Sequence, residues 1–213
     1  MKINTLFGKG LLLVSVFALA LTPKSYAASA NGWDHGYYWA YWVNTGSANM
    51  TFNGANTYGG LWQLSWSNIG DGGGGKGWNP GSDTRNVNYN AGISSTYNNF
   101  GAYGWAPYPT YEMYIQDRVT SQSSSGTYKG SINSDGATYK VYLATQASYS
   151  GGGKQYVSKR TTNSGTSNHT ITTSNHMNWW ASHGMTHGTW GDWKLNVEQY
   201  GNNVSGSYSG NVW

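Results

Sequence analysis

The sequence predicts an all-β domain, on three observations. Short alternating apolar–polar runs recur along the chain, turn residues separate them, and the composition suits pleated surfaces. Of the 213 residues, 16% are aromatic, only 9% are charged and 31 are glycine. Tyr, Trp and Thr favour strands, and Gly and Asn favour the turns between them. Low hydrophobicity with few aromatics would mean disorder. Here the aromatics are abundant, so a packed β-domain follows, with rings to spare for a surface that stacks against a ligand.

The first stretch stands apart. Lys2 and Lys9, the uncharged apolar run from Leu11 to Leu21, and the small residues Ser25, Ala27, Ala28 and Ala30 form the three-part pattern of a secretory signal. Cleavage is expected after Ala27 or Ala30. A membrane anchor is the competing reading, but the apolar run falls short of the roughly 20 residues a spanning helix needs. Residues 1–27 are therefore expected to be an export leader and 28–213 a single domain, secreted and working as a monomer, with no membrane association once the leader is gone. Without Lys2, Lys9 and Lys24, nine basic residues face eight acidic ones. That near-neutral balance gives no electrostatic case for a nucleic-acid partner. The chain has no Cys, so an exported domain must be held by burial rather than by disulfides.

Within the domain, strands are predicted over Tyr37–Val43, Gly60–Ser67, Asn86–Ile93, Phe100–Trp105, Tyr111–Arg118, Gly126–Ile132, Thr138–Thr145, Gln155–Lys159, Thr170–Thr173, Trp193–Tyr200 and Val204–Val212. Asn53-Gly54, Asp135-Gly136 and Asn163-Ser164-Gly165 supply turn signals between them. Many strands at this spacing indicate a sandwich or barrel. One helix is predicted, capped by Ser174 or Asn175, with an apolar stripe of Met177, Trp180 and Ala181, and ended by Gly184.

The whole chain holds two Glu residues, Glu112 and Glu198. Period two places Glu112, Tyr114 and Gln116 on one face of their strand, opposite Met113 and Ile115. It likewise places Asn196, Glu198 and Tyr200 opposite Leu195 and Val197. Each carboxyl thus projects from a polar, Tyr-bearing face backed by an apolar one. Two such strands on a concave sheet would bring the carboxyls together, as glycoside hydrolysis requires. Spacing alone favours two ordinary surface glutamates.

Four blocks of sequence bear on that choice. Trp66-Ser67-Asn68-Ile69-Gly70 runs through glycines to Gly77-Trp78-Asn79-Pro80-Gly81. Tyr103-Gly104-Trp105 leads to Pro109-Thr110-Tyr111-Glu112-Met113-Tyr114. Gly126-Thr127-Tyr128-Lys129-Gly130 continues to Ser134-Asp135-Gly136 and Thr138-Tyr139. Ser174-Asn175-His176 leads to Ser182-His183-Gly184-Met185. In this order they resemble glycoside hydrolase family 11, the jelly-roll xylanases, from about Tyr37 to Trp213. The resemblance implies a β-jelly-roll of two packed, curved antiparallel sheets with one short helix and a concave cleft. It implies retaining endo-hydrolysis of β-1,4-linked xylan without a cofactor or metal. By it, Glu112 matches the nucleophile and Glu198 the acid/base. Tyr103 and Tyr114 match tyrosines that hold the sugar beside the nucleophile. Trp42 looks like a sugar platform, Gln155 matches a site glutamine below the thumb loop, and Tyr200 follows the acid/base by two. Asp71 occupies a position beside the acid/base where Asp goes with acidic pH optima, the two carboxyls titrating as a coupled pair.

The chain departs from the family's pattern in places. Gln146 stands where the family has a thumb Arg, and Ala147 to Lys154 is short, glycine-rich and lacks the Pro-Ser-Ile tip. Gln199 replaces a usual Gly, and Asp192 stands where a Tyr is common. Two other readings therefore stay open: a catalytically weak xylan-binding relative, or a hydrolase of another β-1,4-glycan. Two further patterns carry less. Gly70 to Gly77 almost spells a phosphate-binding loop, but Gly77 stands where a Ser or Thr is needed, and a hairpin or cleft-edge loop is expected instead. His183 and His187 lie four apart, but Gly184 interrupts any helix between them and no Glu is near, so packing or capping roles are expected for His176 and His183.

Overall fold

The computed structural model describes residues 28–52, 59–93, 97–107, 109–121, 126–146, 153–165 and 167–213. The expected leader, the Asn53-Gly54 turn and residues 147–152 of the thumb segment lie outside the described residues. The alternating runs become twelve strands. In chain order they are β1 Ser29–Asp34, β2 Tyr37–Val43, β3 Ser47–Thr51, β4 Leu61–Trp78, β5 Val87–Ile93 and β6 Asn99–Pro107. There follow β7 Thr110–Val119, β8 Thr127–Ser134, β9 Ala137–Gln146, β10 Gly153–Arg160, β11 His169–Ile171 and β12 Trp193–Val212, with helix α1 at Thr173–Ser182 between the last two. The predicted Asp135-Gly136 signal closes the β8–β9 hairpin with φ of 51° and 71°, the left-handed pair such a turn demands.

The hydrogen-bonded path runs β1-β2-β4-β12-β6-β7-β10-β9-β8, with β3 beside β4, and β5 joined to β12 and β11. The strands form one large, curved, unclosed sheet folded into the layers of a β-jelly-roll. The fold depends on two strands that serve both layers. Gln63 to Ser67 of β4 pair with β3, and Gly72 to Gly77 pair with β2. Trp193 to Glu198 of β12 pair with β6, and Tyr208 to Val212 pair with β5. Where these strands pass between layers, the β4–β12 register shifts at Val204, and Asn68 and Asn203 take φ of 55° and 57°. Bulged strands of this kind turn the corners of packed sheets. The pairing is antiparallel except at β7–β10, which is parallel, a correction to the all-antiparallel expectation. These two strands are joined through β8 and β9, a crossover long enough to return in the same direction.

The core lies between the layers. Trp62, Leu64, Tyr89 and Tyr208 face Phe100, Met113, Ile115 and Val197, all buried. Tyr208 packs against Trp62 and Phe100 with ring centroids 4.6 and 5.3 Å apart. Asp117 is buried on the core side of β7 in a polar cluster. Tyr89 donates to its Oδ2 at 2.7 Å, Tyr139 donates to its Oδ1, and the Arg160 guanidinium lies 3.3 Å from Oδ1. Helix α1 covers one flank with Thr173, His176, Met177 and Trp180. Ala181 is exposed, which corrects the predicted stripe: the buried positions follow i, i+3, i+4, i+7 from Thr173. Thr172, rather than Ser174 or Asn175, is the N-cap residue, and Asp135 accepts from its backbone N–H and hydroxyl at 3.0 and 2.6 Å.

The glycine run is the largest departure from expectation. Gly70 to Gly77 is the interior of β4, neither hairpin nor loop. A Cβ on Gly73, Gly75 or Gly77 would fall 2.8, 2.0 or 2.2 Å from the carbonyl oxygen of Val197, Leu195 or Trp193. Glycine in a strand marks such close backbone approach, and here it lets β12 lie against β4. Lys76 points the other way and is buried, its ammonium on the Asp34 carboxylate, 4.8 Å from the Phe52 ring centroid. Strands β1 and β3 went unpredicted because polar residues and glycine dilute their alternation. Gly75→Ala is expected to lower Tm by roughly 5 °C through overpacking. Gly165→Ala, where the nearest atom is 3.9 Å away, should leave Tm unchanged in the same calorimetric scan.

Candidate active site

Alternation on β7 turns Glu112, Tyr114 and Gln116 to the concave face, with Met113 and Ile115 fully buried behind them. Glu112 is nearly buried, and each of its oxygens accepts a hydrogen bond. Tyr103 on β6 donates to Oε1 at 3.1 Å, and Gln155 donates to Oε2 at 3.1 Å. Gln155 is the direct register partner of Glu112 across the parallel β7–β10 pair, so the backbone pairing itself presents the amide. The carboxylate is therefore held in one orientation from two sides.

Glu198 projects from β12 onto the same face. Its register partner on β6 is Asn99, whose Nδ2 donates to Oε2 at 2.6 Å. The Tyr114 hydroxyl donates to Oε1 at 3.5 Å. Tyr103 and Tyr114 are cross-strand partners in edge-to-face contact at 5.0 Å. Tyr114, expected beside the first carboxyl, thus also reaches the second. Burial pushes the Glu198 carboxyl up to about 7, and the charges of Glu112 and Asp71 push in the same direction. The bonds from Asn99 and Tyr114 pull it down without reversing the shift.

Asp71 stands on β4 opposite Tyr200 of β12, two residues beyond Glu198. Burial, then the Glu112 charge, raises its pKa, while the backbone N–H of Gly72 lowers it. Its Oδ1 is enclosed with no hydrogen-bond partner among the described residues. Trp42, Gly73, Glu198 and Asn99 are successive register partners across β2, β4, β12 and β6. Gly73 leaves bare backbone between Trp42 and the carboxyl. Trp42 keeps 43% of its surface exposed and Tyr200 51%, while Trp62 and Trp66 are core. The two faces of the Tyr37–Trp42 segment divide as expected: Tyr37, Trp39 and Tyr41 pack toward the core, and Trp42 faces the cleft.

Sequence reasoning missed Asn99 and Lys194. Asn99 lies four residues before Tyr103 on the same face, but the predicted strand began at Phe100, one residue too late. Lys194 lies two residues before Asn196 on the face already assigned to the cleft. It is buried, 2.6 Å from Asp192 and 4.9 Å from the Tyr103 ring centroid. The histidines lie elsewhere. His176 is buried edge-on to Tyr139, and its burial depresses its pKa to about 4. His183 stacks on Trp179 at 3.7 Å, and His187 sits 3.0 Å from Asp83.

Paired carboxyls in unlike surroundings, on a concave sheet lined with aromatic rings, define a class: the glycoside hydrolases. Within that class the chain belongs to glycosyl hydrolases family 11, whose model matches residues 34–209. Its relatives agree. A Penicillium digitatum protein named ethylene-inducing xylanase is 37% identical, over 85% of this chain and 86% of its own length. A Pyricularia oryzae endo-1,4-beta-xylanase is 35% identical, over 84% of this chain and 78% of its own. A Cellvibrio japonicus endo-1,4-beta-xylanase is 36% identical over 85% of this chain, which spans 54% of that relative's length.

Because the chain has only two Glu residues, carbon-13 labelling at the glutamate carboxyl gives two resonances to titrate. The Asn99 amide favours the ionised form of Glu198. Asn99→Leu should therefore move the Glu198 titration upward from about 7.

Proposed function

We propose that this protein is an exported, monomeric endo-β-1,4-xylanase that works with retention of configuration and carries a shortened thumb. The observation that supports this most strongly is the unlike pair. Glu198 keeps its proton to about pH 7, while Glu112 has each oxygen fixed by a donor. Glu112 attacks the anomeric carbon as the glycosidic C–O bond breaks, and Glu198 gives its proton to the departing sugar oxygen. A water then enters. Glu198 takes a proton from it as its oxygen displaces Glu112 from the anomeric carbon, which restores both carboxyls to their starting states. Tyr103 and Gln155 hold the first carboxylate in line, Asn99 and Tyr114 hold the second, and Trp42 and Tyr200 offer exposed rings to the sugars on either side. The residues themselves carry every proton and bond in this scheme, so no cofactor enters it.

Asp71 tunes the proton donor. An ionised Asp71 tightens the hold of Glu198 on its proton and makes it a poorer acid, whereas a protonated Asp71 does not. The fast form is thus the one with Asp71 protonated, and the rate falls as Asp71 ionises. The expected result is an acidic optimum for the parent. In Asp71→Asn, which mimics the protonated state, the alkaline limb of kcat/KM should move to higher pH, to the point where Glu198 itself gives up its proton. A parent profile peaking at neutral or alkaline pH would overturn this role.

Reducing-sugar release from xylan tests the assignment as a whole. The parent should release sugar, Glu112→Gln should release none while still binding xylan, and Glu198→Gln should lose about 10²–10⁴-fold in kcat. If Glu112→Gln matches the parent, the nucleophile is wrongly assigned. A folded parent that binds insoluble xylan without releasing sugar would instead be the binding relative.

A further inference from the structure

Among the described residues, Trp33 is the most exposed large hydrophobic, with 60% of its surface open. A single exposed Trp needs no explanation by itself. The position of this one does. On edge strand β1, Trp33 lies directly opposite Tyr38, and Ser29 lies opposite Trp42. Directly opposed residues share a face of a sheet. Trp33 therefore stands on the same concave face as Trp42 and the two carboxyls.

Register carries that face inward without a break. Tyr38 pairs with Gly77, Gly77 with Lys194, Lys194 with Tyr103, and Tyr103 with Tyr114. The side chains follow the backbone. Trp33 meets Tyr38 edge-on at 5.6 Å, and the Lys194 ammonium lies 6.0 Å from the Tyr38 ring and 4.9 Å from the Tyr103 ring. Tyr103 in turn donates to Glu112, and Tyr114 to Glu198. A continuous floor thus runs across six strands from Trp33 to the carboxyls. At about 4.8 Å per strand, Trp33 stands roughly 20 Å from Tyr103, a span of several sugar units. Tyr38 flanks the indole in a tilted, T-shaped contact, and more than half of the Trp33 surface stays open to a pyranose ring.

We propose that Trp33 is a distal sugar platform at the outer edge of the cleft. It would hold a xylose unit of a long β-1,4-linked chain several units from the cleavage point. The proposal rests on the xylan reading above and adds a preference for chain length. Short oligosaccharides that end before β1 gain nothing from Trp33, whereas longer ones do.

The test is binding, measured by titration calorimetry on Glu112→Gln protein with xylo-oligosaccharides from two to six units, with and without Trp33→Ala. The expected result is unchanged affinity for the shortest sugars and about fivefold weaker binding of the longest, with Trp33→Phe restoring most of it. Matching circular dichroism and Tm would show that the edge strand is intact. A loss that is equal at every length, or no loss at six units, overturns the platform. Failure of the Trp33-containing protein to bind any xylo-oligosaccharide overturns the xylan reading itself, and so separates the two failures.

Discussion

The close pairing of β4 with β12 is the constraint on which the rest of this structure depends. These two strands lie together along nearly their whole length and belong to both layers. The inner face of one layer and the floor of the cleft are therefore two stretches of the same pair. The contact is possible because three alternate positions of β4 carry no side chain, where any Cβ would strike a β12 carbonyl oxygen. The glycines thus do two things at once. They admit the strand that bears Glu198, and they leave bare backbone between that carboxyl and the ring of Trp42.

The electrostatics of the site follow from placement on this floor. Glu112 and Glu198 come from different strands and meet different neighbours. One is bonded by a phenol and a primary amide, the other by a second phenol and a second amide, and at Glu198 burial and the charges of Glu112 and Asp71 all favour the protonated form. Desolvation is the largest of these influences, so the Glu198 carboxyl is pushed up even though two hydrogen bonds favour its anion. The same face carries Lys194, a buried cation close to Tyr103 and balanced by Asp192.

Much of this was legible in the sequence, and the exceptions share physical causes. Alternation located the strands bearing Glu112 and Glu198 and assigned both carboxyls to polar faces, because each is backed by strongly apolar neighbours such as Ile115 and Val197. It failed at Gly70 to Gly77, since glycine reports a loop when read locally. Only a partner 120 residues away reveals it as a site of close approach. Asn99 was hidden for a related reason: an asparagine at a strand end reads as a turn residue until its register partner proves to be Glu198. The helix was found, but its buried face was set one step off, because Thr173 and His176 are polar residues that the fold encloses. Local propensity is overruled where tertiary contact is closest, and in this fold those places lie at or beside the cleft.

The sharing of β4 and β12 also bears on how the chain reaches this state. Residues 61–78 pair with residues 193–212 along nearly their whole length, on the side opposite β2 and β3, so the central pairing closes a loop of more than a hundred residues. Loop closure on that scale, together with the dominance of non-local contacts, makes for slow folding. Neither layer has a complete core until the last strand arrives, so a chain emerging residue by residue has nothing stable to collapse onto. A polypeptide built in this way completes its native core only when almost all of it is available.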